Sequence, residues 1–303
     1  MNRLVLPPTL VWEETLRRGL AEDLGTAGDL TTDAIVPWQL QGRARLVARR
    51  SGRVAGLVVA ERVFQLLDPE ASLRDRVEEG SRVEPGSVLA EVVGQARAVL
   101  TGERTALNLL GRLSGIATAT RALVDAIGDA SKPRVVCTRK TTPGLRALEK
   151  YAVRAGGGAN HRFGLDDAVL VKDNHIALAG GLEEAVRRVR AHVGHLVEIE
   201  VEVDTLDQLE AALALGVEAV LLDNFELDAL RRAVAMCRGR AITEASGGIS
   251  PDTIAAVAET GVDLISAGYP THSAPVLDVA LDAVSDAALD RETAPEALGH
   301  ERQ

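Results

Sequence analysis

The stretch RVVCTRKTTPG, residues 134–144, has the pattern of a buried strand, a turn and the start of a helix. Three apolar residues precede the adjacent cations Arg139 and Lys140, and Pro143–Gly144 then breaks the chain before a helical pattern that starts near Leu145. Taken alone, the Arg-Lys pair is typical of a solvated loop. In a chain with a formal net charge of −10, it is also a candidate site for an anion.

The same strand–turn–helix pattern repeats after residue 133, where six short apolar runs alternate with helical patterns. The runs are RVVCTRK (134–140), AVLVKDN (168–174), VEIEVEVD (197–204), AVLLDNF (219–225), AITEASGG (241–248) and DLISAGY (263–269). Repeated strand–helix units predict a parallel sheet that is buried on both faces. Six units are too few for a complete eight-stranded barrel. We therefore predict an open, incomplete α/β barrel of six to seven strands, and a doubly wound open sheet is the alternative.

Two helix starts within this repeat are marked by capping residues. Thr205–Gln208 forms a capping box, and Ser250 is followed by a proline at the first helical position, Pro251. The first half of the chain differs, because residues 43–95 predict short strands and Gly/Pro turns around one helix. A long helix then begins near Thr101, with a restart or bend near Gly115. Its polar stripe consists of Arg104, Asn108 and Arg112.

Composition excludes several classes of function. The excess of acidic over basic residues, 44 against 34, argues against non-specific nucleic-acid binding, so an anionic ligand would need a local basic cluster. Cys137 and Cys237 lie in apolar runs without metal-ligand spacing, which predicts buried thiols rather than a disulfide. No apolar run approaches a membrane span, and residues 1–20 do not resemble a signal peptide. We expect a cytoplasmic protein without membrane contacts.

Polar residues gather at the end of each predicted strand. They are Arg139–Lys140, Lys172–Asn174, Glu200 and Glu202, Asp223–Asn224, Ser246–Gly248 and Ser266–Gly268. The carboxyl ends of parallel strands form the ligand face of α/β folds. Cations and carboxylates at the same position of consecutive units favour a binding face over scattered loop polarity.

The charges on this face narrow the choice of ligand. The candidate cations are Arg139, Lys140, Arg162 and Lys172, with His161 beside them. Arginine and lysine suit carboxylate and phosphate groups. Glu202 and Asp223 could bind Mg²⁺, hold ribose hydroxyls or stabilise a developing cation. A salt-bridge network is the alternative for any single pair, and the strand pattern does not choose between Glu200 and Glu202.

Three glycine-rich segments complete the candidate site. SGGIS (246–250) and SAG (266–268) follow the last two strands, where backbone N–H groups beside a helix start can cradle phosphate. Glycine is also the ordinary residue of a βα turn, so either segment alone is weak evidence. GGGANHR (156–162) has three consecutive glycines, which predict backbone packed close to a ligand or partner.

Together these residues resemble the quinolinate phosphoribosyltransferase family. The matching segments are EDLGTAGDLTT (22–32), GERTALNLLGRLSGIAT (102–118), TRKTTPGLRALEKYAVRAGGGANHRFGL (138–165), VLVKDNHI (169–176), EVEVDTL (200–206), LLDNF (221–225), ASGGIS (245–250) and THS (271–273). They span nearly the whole chain, and the segment at 138–165 is highly specific. Ala159 departs from the usual valine, which affects packing and leaves the charged set intact.

The resemblance implies an enzyme that joins quinolinate to 5-phosphoribosyl-1-pyrophosphate with Mg²⁺. The products would be nicotinate mononucleotide, pyrophosphate and CO₂. It also implies an N-terminal α/β sandwich domain at 1–116, onto which residues 275–303 pack back, and an open α/β barrel at 117–274. The assembly would be a homodimer, in which Arg104 reaches into the partner's site.

The resemblance further assigns a role to each candidate residue. Quinolinate would contact Arg104, Arg139, His161, Arg162 and Lys172. The catalytic set would be Lys140, Glu202 and Asp223, with Glu202 and Asp223 also serving Mg²⁺. The 5′-phosphate would lie on Ser246, Gly247, Gly248, Ser266, Ala267 and Gly268.

Two other functions are weighed against this one. A paralogue associated with molybdenum transport shares the barrel and much of the TRK segment, but residues 140–165 are closer to the quinolinate enzyme. A non-catalytic phosphosugar-binding protein would not need a carboxylate pair opposite a cation cluster. No Ser-His-Asp or Cys-His constellation is evident, which fits a reaction governed by electrostatic stabilisation.

Overall fold

The first half of the chain builds an antiparallel sheet against which helices pack. The structure, a computed structural model, describes residues 4–128 and 133–284. After a 3-10 turn at Thr9–Val11, the helices of this half are α1 (Glu13–Leu24), α2 (Leu30–Ile35) and α3 (Leu57–Leu67). Its strands are β1 (Gln41–Ala48), β2 (Gly52–Arg53), β3 (Ser72–Arg74), β4 (Arg82–Val83) and β5 (Val88–Gln95).

Helix α4 (Ala96–Ile127) is a single helix of 32 residues, so the predicted bend near Gly115 is wrong. The glycines on this helix serve a different purpose, which is the close approach of another segment. The N–H of Leu277 donates to the carbonyl of Gly111 at 2.9 Å. A Cβ atom on Gly115 would overlap the carbonyl oxygen of Pro275. Residues 275–277 therefore cross α4 where it has no side chains.

The second half of the chain is a strand–helix repeat. Its strands are β6 (Arg134–Val136), β7 (Val169–Val171), β8 (Ile199–Val203), β9 (Ala219–Asp223), β10 (Ile242–Ser246) and β11 (Leu264–Ser266). Its helices are α5 (Arg146–Ala155), α6 (Asp173–Ala179), α7 (Leu182–His192), α8 (Leu206–Ala214), α9 (Leu227–Cys237), α10 (Ile254–Ala258) and α11 (Tyr269–His272).

The six strands form one parallel sheet in the order β6-β11-β10-β9-β8-β7. From β7 to β11 each strand lies beside its predecessor, without the reversal of strand order that defines a doubly wound sheet. Strands β6 and β7 stand at the two edges and do not pair within the described residues, so the barrel is open there. The predicted open α/β barrel is confirmed with six strands.

Capping residues explain where two of these helices begin. At α8 the Thr205 hydroxyl accepts the N–H of Gln208 at 3.2 Å, as the capping box predicts, and the Gln208 side chain accepts the N–H of Asp204. The helix expected at Pro251 begins later, at Ile254. The reason is that Thr253 accepts the N–H of Ser250 at 2.9 Å, which closes a turn before α10.

The last described strand, β12 (Val279–Ala283), returns to the first sheet. That sheet has the order β12-β1-β5-β3, and β12 runs antiparallel to β1. Residues 275–284 thus pack on the N-terminal sheet, whereas 285–303 lie outside the described residues. The domain boundary at residue 116 stays a prediction, since α4 runs through it.

Aliphatic side chains fill two hydrophobic cores, one around the antiparallel sheet and α4 and one between the parallel sheet and the helices that cover it. Cys137 and Cys237 are buried free thiols, as predicted. Over the described ranges, no helix combines the length and the apolar character that a bilayer crossing requires.

We expect Gly115→Ala to destabilise the protein although alanine favours helices by about 1 kcal/mol. The new methyl group would collide with backbone at Pro275, which cannot move without displacing β12 from its sheet. The expected net loss is about 1–3 kcal/mol in the free energy of urea-induced unfolding. Gly102→Ala in the same helix is the control, because its Cβ atom would lie 3.0 Å from a Phe64 side-chain atom, whereas on Gly115 it would overlap a backbone oxygen. Equal stability of the two variants would contradict this account.

Candidate active site

A cavity of about 400 Å³ lies at the carboxyl ends of the barrel strands. It is lined by Thr138, Arg139, Lys140, His161, Arg162, Leu170, Lys172, Glu202, Leu221, Asp223, Glu244, Ser246 and Ser266. All the predicted cations of the barrel and both predicted carboxylates therefore line one cavity. Of the predicted site residues, Gly247, Gly248, Ala267 and Gly268 lie in the adjoining turns, and Arg104 lies elsewhere.

The loop that carries Arg139 and Lys140 is held by a buried ion pair. Glu149, on α5, is fully buried and accepts the N–H of Thr142 at 3.1 Å. Its carboxylate also pairs with Arg112 of α4 at 3.0 Å. Arg112 in turn donates to the carbonyl of Thr271. This pair ties the turn after β6 to α4 and to α11, and it fixes the position of both loop cations.

The neighbouring residue, Lys150, is also fully buried. Its Nζ donates to the carbonyls of His161 and Arg162, at 3.1 and 3.0 Å, and lies 3.0 Å from Cys137 Sγ. Lys150 therefore ties the backbone that presents His161 and Arg162 to the end of β6. The sequence hypothesis missed Glu149 and Lys150. The feature of the sequence that could have revealed them is a pair of adjacent charges between Leu148 and Tyr151, in the apolar part of α5.

The three glycines of GGGANHR pack against the protein's own helix α4. A Cβ atom on Gly156 would overlap the carbonyl oxygen of Ala117, and one on Gly158 would lie 2.8 Å from Thr120. After these glycines, Ala159 forms a parallel β-bridge with Val136 of β6. The close contact predicted from these glycines is thus an intrachain one, and it sets His161 and Arg162 beside β6.

His161 has both ring nitrogens engaged by the protein. Its Nδ1 accepts the N–H of Arg162 at 2.7 Å, and its Nε2 lies 3.0 Å from a carboxylate oxygen of Glu200. Glu244 lies beside it, with Oε1 at 3.6 Å from the same Nε2. Burial lowers the pKa of His161, but the hydrogen bond to Glu200 and the charges of both carboxylates outweigh burial and raise it. Neither Glu200 nor Glu244 was assigned a role from the sequence.

The two arginines of the cavity differ in their partners. Arg162 donates to the carbonyl of Ala168 at 3.1 Å, and burial and the neighbouring Arg139 charge lower its pKa. Arg139 has a buried Nε without a hydrogen-bond partner among the described residues. An unsatisfied guanidinium donor at the cavity wall is a ready partner for an anionic ligand.

Glu202 and Asp223 lie on neighbouring strands, β8 and β9, and both face the cavity. Glu202 forms an ion pair with Lys172, and Asp223 accepts the side-chain N–H of Asn224 at 2.7 Å. Glu200 lies deeper, at 9% exposure, in contact with His161. The strand pattern did not distinguish the two glutamates, but in the structure Glu202 lines the cavity and Glu200 pairs with His161.

The glycine turns differ in what their backbone can bind. Gly247 and Gly248 have positive φ angles of 97° and 61°, which turn the chain after β10. Ala267 is buried, and its N–H donates to the carbonyl of Val136 at 3.0 Å, so it holds no free donor. Gly268 lies against the Lys140 side chain.

Arg104 lies outside this cavity. It is on α4, its side chain is 64% exposed, and it lines a separate cavity of about 680 Å³ with Arg50 and Asn108. Within one chain, the structure does not bring Arg104 to the barrel cations.

The open barrel and its cation-rich cavity define an α/β-barrel enzyme that acts on anionic substrates. The family model "Quinolinate phosphoribosyl transferase, C-terminal domain" matches residues 116–282, and the corresponding N-terminal model matches 29–114. The chain belongs to the quinolinate phosphoribosyltransferase family.

Similar proteins agree with this assignment. The chain is 46% identical over 282 residues to a probable nicotinate-nucleotide pyrophosphorylase [carboxylating] of Synechocystis sp., covering 92% of this chain and 95% of that protein. It is 47% identical over 274 residues to the nicotinate-nucleotide pyrophosphorylase [carboxylating] of Mycobacterium leprae, covering 89% and 96%. The crystal structure of NadC from Streptococcus pyogenes superposes with a TM-score of 0.88 at 40% identity, covering 93% and 100%. The predicted family, enzyme class and fold class are confirmed, and the molybdenum-transport alternative is not favoured.

We expect Lys150→Met to destabilise the protein by about 2–4 kcal/mol in urea-induced unfolding. Methionine fills a similar volume but leaves two buried carbonyls without their donor. Arg154→Met, on the same helix without a side-chain hydrogen bond among those described, should change stability by less than about 0.5 kcal/mol. If both variants unfold at the same urea concentration, Lys150 does not support the loop.

Proposed function

We propose that this chain transfers the phosphoribosyl group of 5-phosphoribosyl-1-pyrophosphate to the ring nitrogen of quinolinate. Decarboxylation then gives nicotinate mononucleotide, with release of pyrophosphate and CO₂. The observation that carries the proposal is the cavity at the strand ends, which is lined by five basic side chains and by the three carboxyl groups of Glu202, Asp223 and Glu244. Both substrates are polyanions, and the curated relatives are named for this reaction.

The acceptor subsite is formed by Arg139, Arg162 and Lys172, with His161 at its floor. Quinolinate carries two adjacent carboxylates, and arginine side chains match carboxylates with paired N–H donors. The unpartnered Nε of Arg139 supports this role. Lys172 is already paired with Glu202, so it links the acceptor subsite to the phosphoribosyl subsite.

The phosphoribosyl subsite is formed by Lys140, Glu202 and Asp223, together with the turns at Ser246–Gly248 and Ser266–Gly268. Lys140 provides a point charge for phosphate, and the open backbone at Gly248 leaves room for a phosphate group. Glu202 and Asp223 supply the hard oxygen ligands that Mg²⁺ prefers, so the residues present fit this ion. Bound Mg²⁺ would neutralise charge on the departing pyrophosphate.

The electrostatic arrangement suits each chemical step. As the bond to pyrophosphate breaks, the ribose develops positive charge, which the carboxylates of Glu202 and Asp223 stabilise. The quinolinate nitrogen then forms the new bond to C1 of the ribose. In the resulting pyridinium, the bond from ring C2 to its carboxylate breaks, and the electron pair is stabilised by the positive nitrogen. A proton then replaces CO₂ at C2.

We further propose a cytoplasmic homodimer in which Arg104 completes the partner's acceptor subsite. Exposed apolar side chains support dimerisation, namely Leu10 and Trp38 in the N-terminal half and Leu165 and Leu178 on the barrel. Arg104 is exposed and lines a different cavity from the barrel cations, which supports a role in a second subunit. Buried free cysteines support a reducing compartment.

The direct test is incubation with quinolinate, 5-phosphoribosyl-1-pyrophosphate and Mg²⁺, with detection of nicotinate mononucleotide and CO₂. We expect Arg139→Ala to lower kcat/KM for quinolinate about a hundredfold, because a charge-assisted hydrogen bond is lost. Arg134→Ala, at the start of β6 and away from the loop that carries Arg139, should keep full activity. Absence of products from the unaltered protein would refute the function, and a normal kcat/KM in Arg139→Ala would refute that residue's role.

A shared site predicts complementation between inactive variants. In a mixture of Arg104→Ala and Lys172→Ala subunits, each heterodimer has one site with both defects and one with neither. Random pairing should therefore restore about a quarter of the original activity. A mixture of Lys172→Ala and Glu202→Ala is the control, since both residues belong to the same barrel and no intact site forms. Failure of the first mixture, with heterodimers shown to form, would contradict the shared site.

A further inference from the structure

Two buried carboxyl groups lie beneath the cations of the cavity. Glu200 of β8 is 9% exposed and Glu244 of β10 is 2% exposed, and both face His161. Burying two carboxylates side by side is unfavourable unless one is neutral or each has a partner. Glu200 has the imidazole as its partner, but Oε1 of Glu244 has no hydrogen-bond partner in the part of the chain that the structure describes.

A metal ion is the first explanation to consider for this cluster. His161, Glu200 and Glu244 each offer one ligand atom, and these atoms lie within 4.8 Å of one another. A metal at Nε2 would need that nitrogen unprotonated, and the ring proton would then lie on Nδ1. Nδ1 instead accepts the backbone N–H of Arg162, so the proton lies on Nε2 and points at Glu200. The hydrogen bonds therefore argue against a metal.

The surroundings of Glu244 favour its neutral form. It faces Glu200 from β8, His161 from the loop after α5, Ser266 from β11 and the apolar Leu221 from β9. Burial and then the charge of Glu200 raise the pKa of Glu244 to about 7, against smaller opposing effects of His161 and Ser266. The more distant charged groups that line the cavity are Arg139, Lys140, Arg162, Lys172, Glu202 and Asp223.

We propose that Glu244 is a positioning residue that acts as a neutral carboxylic acid beneath the acceptor subsite. In that state it packs against His161, and Glu200 is the one ionised carboxylate of the two beneath the subsite. An ionised Glu244 would add a second negative charge under the position of the acceptor. The proposal rests on the proposed function, because it requires an acceptor with two negative charges.

The direction of the pH effect follows from this arrangement. A dianion binds best when Glu244 holds its proton, so acceptor affinity is full below the pKa of Glu244 and falls as the pH rises through it. Acceptor binding and proton binding are then mutually favourable, and Glu244 takes up a proton when quinolinate binds above neutral pH.

The test compares the KM for quinolinate in the unaltered enzyme and in Glu244→Gln from about pH 6 to about pH 9, where both acceptor carboxylates are ionised. We expect KM of the unaltered enzyme to rise about fivefold to tenfold above neutral pH. In Glu244→Gln, which has the same shape and no titratable proton, KM should stay near its neutral-pH value. Glu218→Gln, whose side chain caps β8 at the opposite end of the barrel, should retain the rise.

The same rise of KM in Glu244→Gln as in the unaltered enzyme would overturn the proposal. If Glu244→Gln does not fold, calorimetry of quinolinate binding to the unaltered enzyme in two buffers of different ionisation enthalpy replaces it. Proton uptake near pH 8 is then expected, and its absence would overturn the proposal. Failure of the proposed function itself would look different, because the unaltered enzyme would then form no product at any pH.

Discussion

The structure of the site depends on one buried ammonium group. Lys150 has no contact with water, and it donates to the backbone carbonyls of His161 and Arg162 while touching the thiol at the end of β6. The adjacent Glu149 is equally buried and pairs with Arg112. Burial of a charge is tolerated only when every partner is in place, so these contacts permit little movement of either loop. Two loops that are distant in sequence are thereby fixed side by side.

The positive charges of the site lie close to negative charges that partly compensate them. Cations line the cavity, where an anionic substrate would meet them, and carboxylates lie beneath or opposite them. Neighbouring cations repel one another and lower one another's pKa, as Arg139 does to Arg162, and the carboxylate of Glu200 opposes that effect. An overall acidic protein can therefore hold a strongly basic cavity, because the basic groups are placed by local partners rather than by net charge.

Much of the fold could be predicted because it follows from local patterns. Six apolar runs with helical segments between them indicated the parallel barrel, and the polar residues after each run indicated its ligand face. The prediction failed at Gly115, where glycine accommodates a crossing segment and does not bend the helix. It also missed Lys150 and Glu244, since a charge inside an apolar pattern has no local signature until its partners are known.

The sequence by itself determined the order of strands and helices, the cations at the strand ends and the resemblance to a family, because each depends on residues close together in the chain or on whole motifs. The tertiary structure decided which glutamate faces the cavity, which groups hold His161 and where Arg104 lies. Those outcomes depend on distances between strands and helices that are far apart in sequence. Burial and pKa arise only when such groups meet in space.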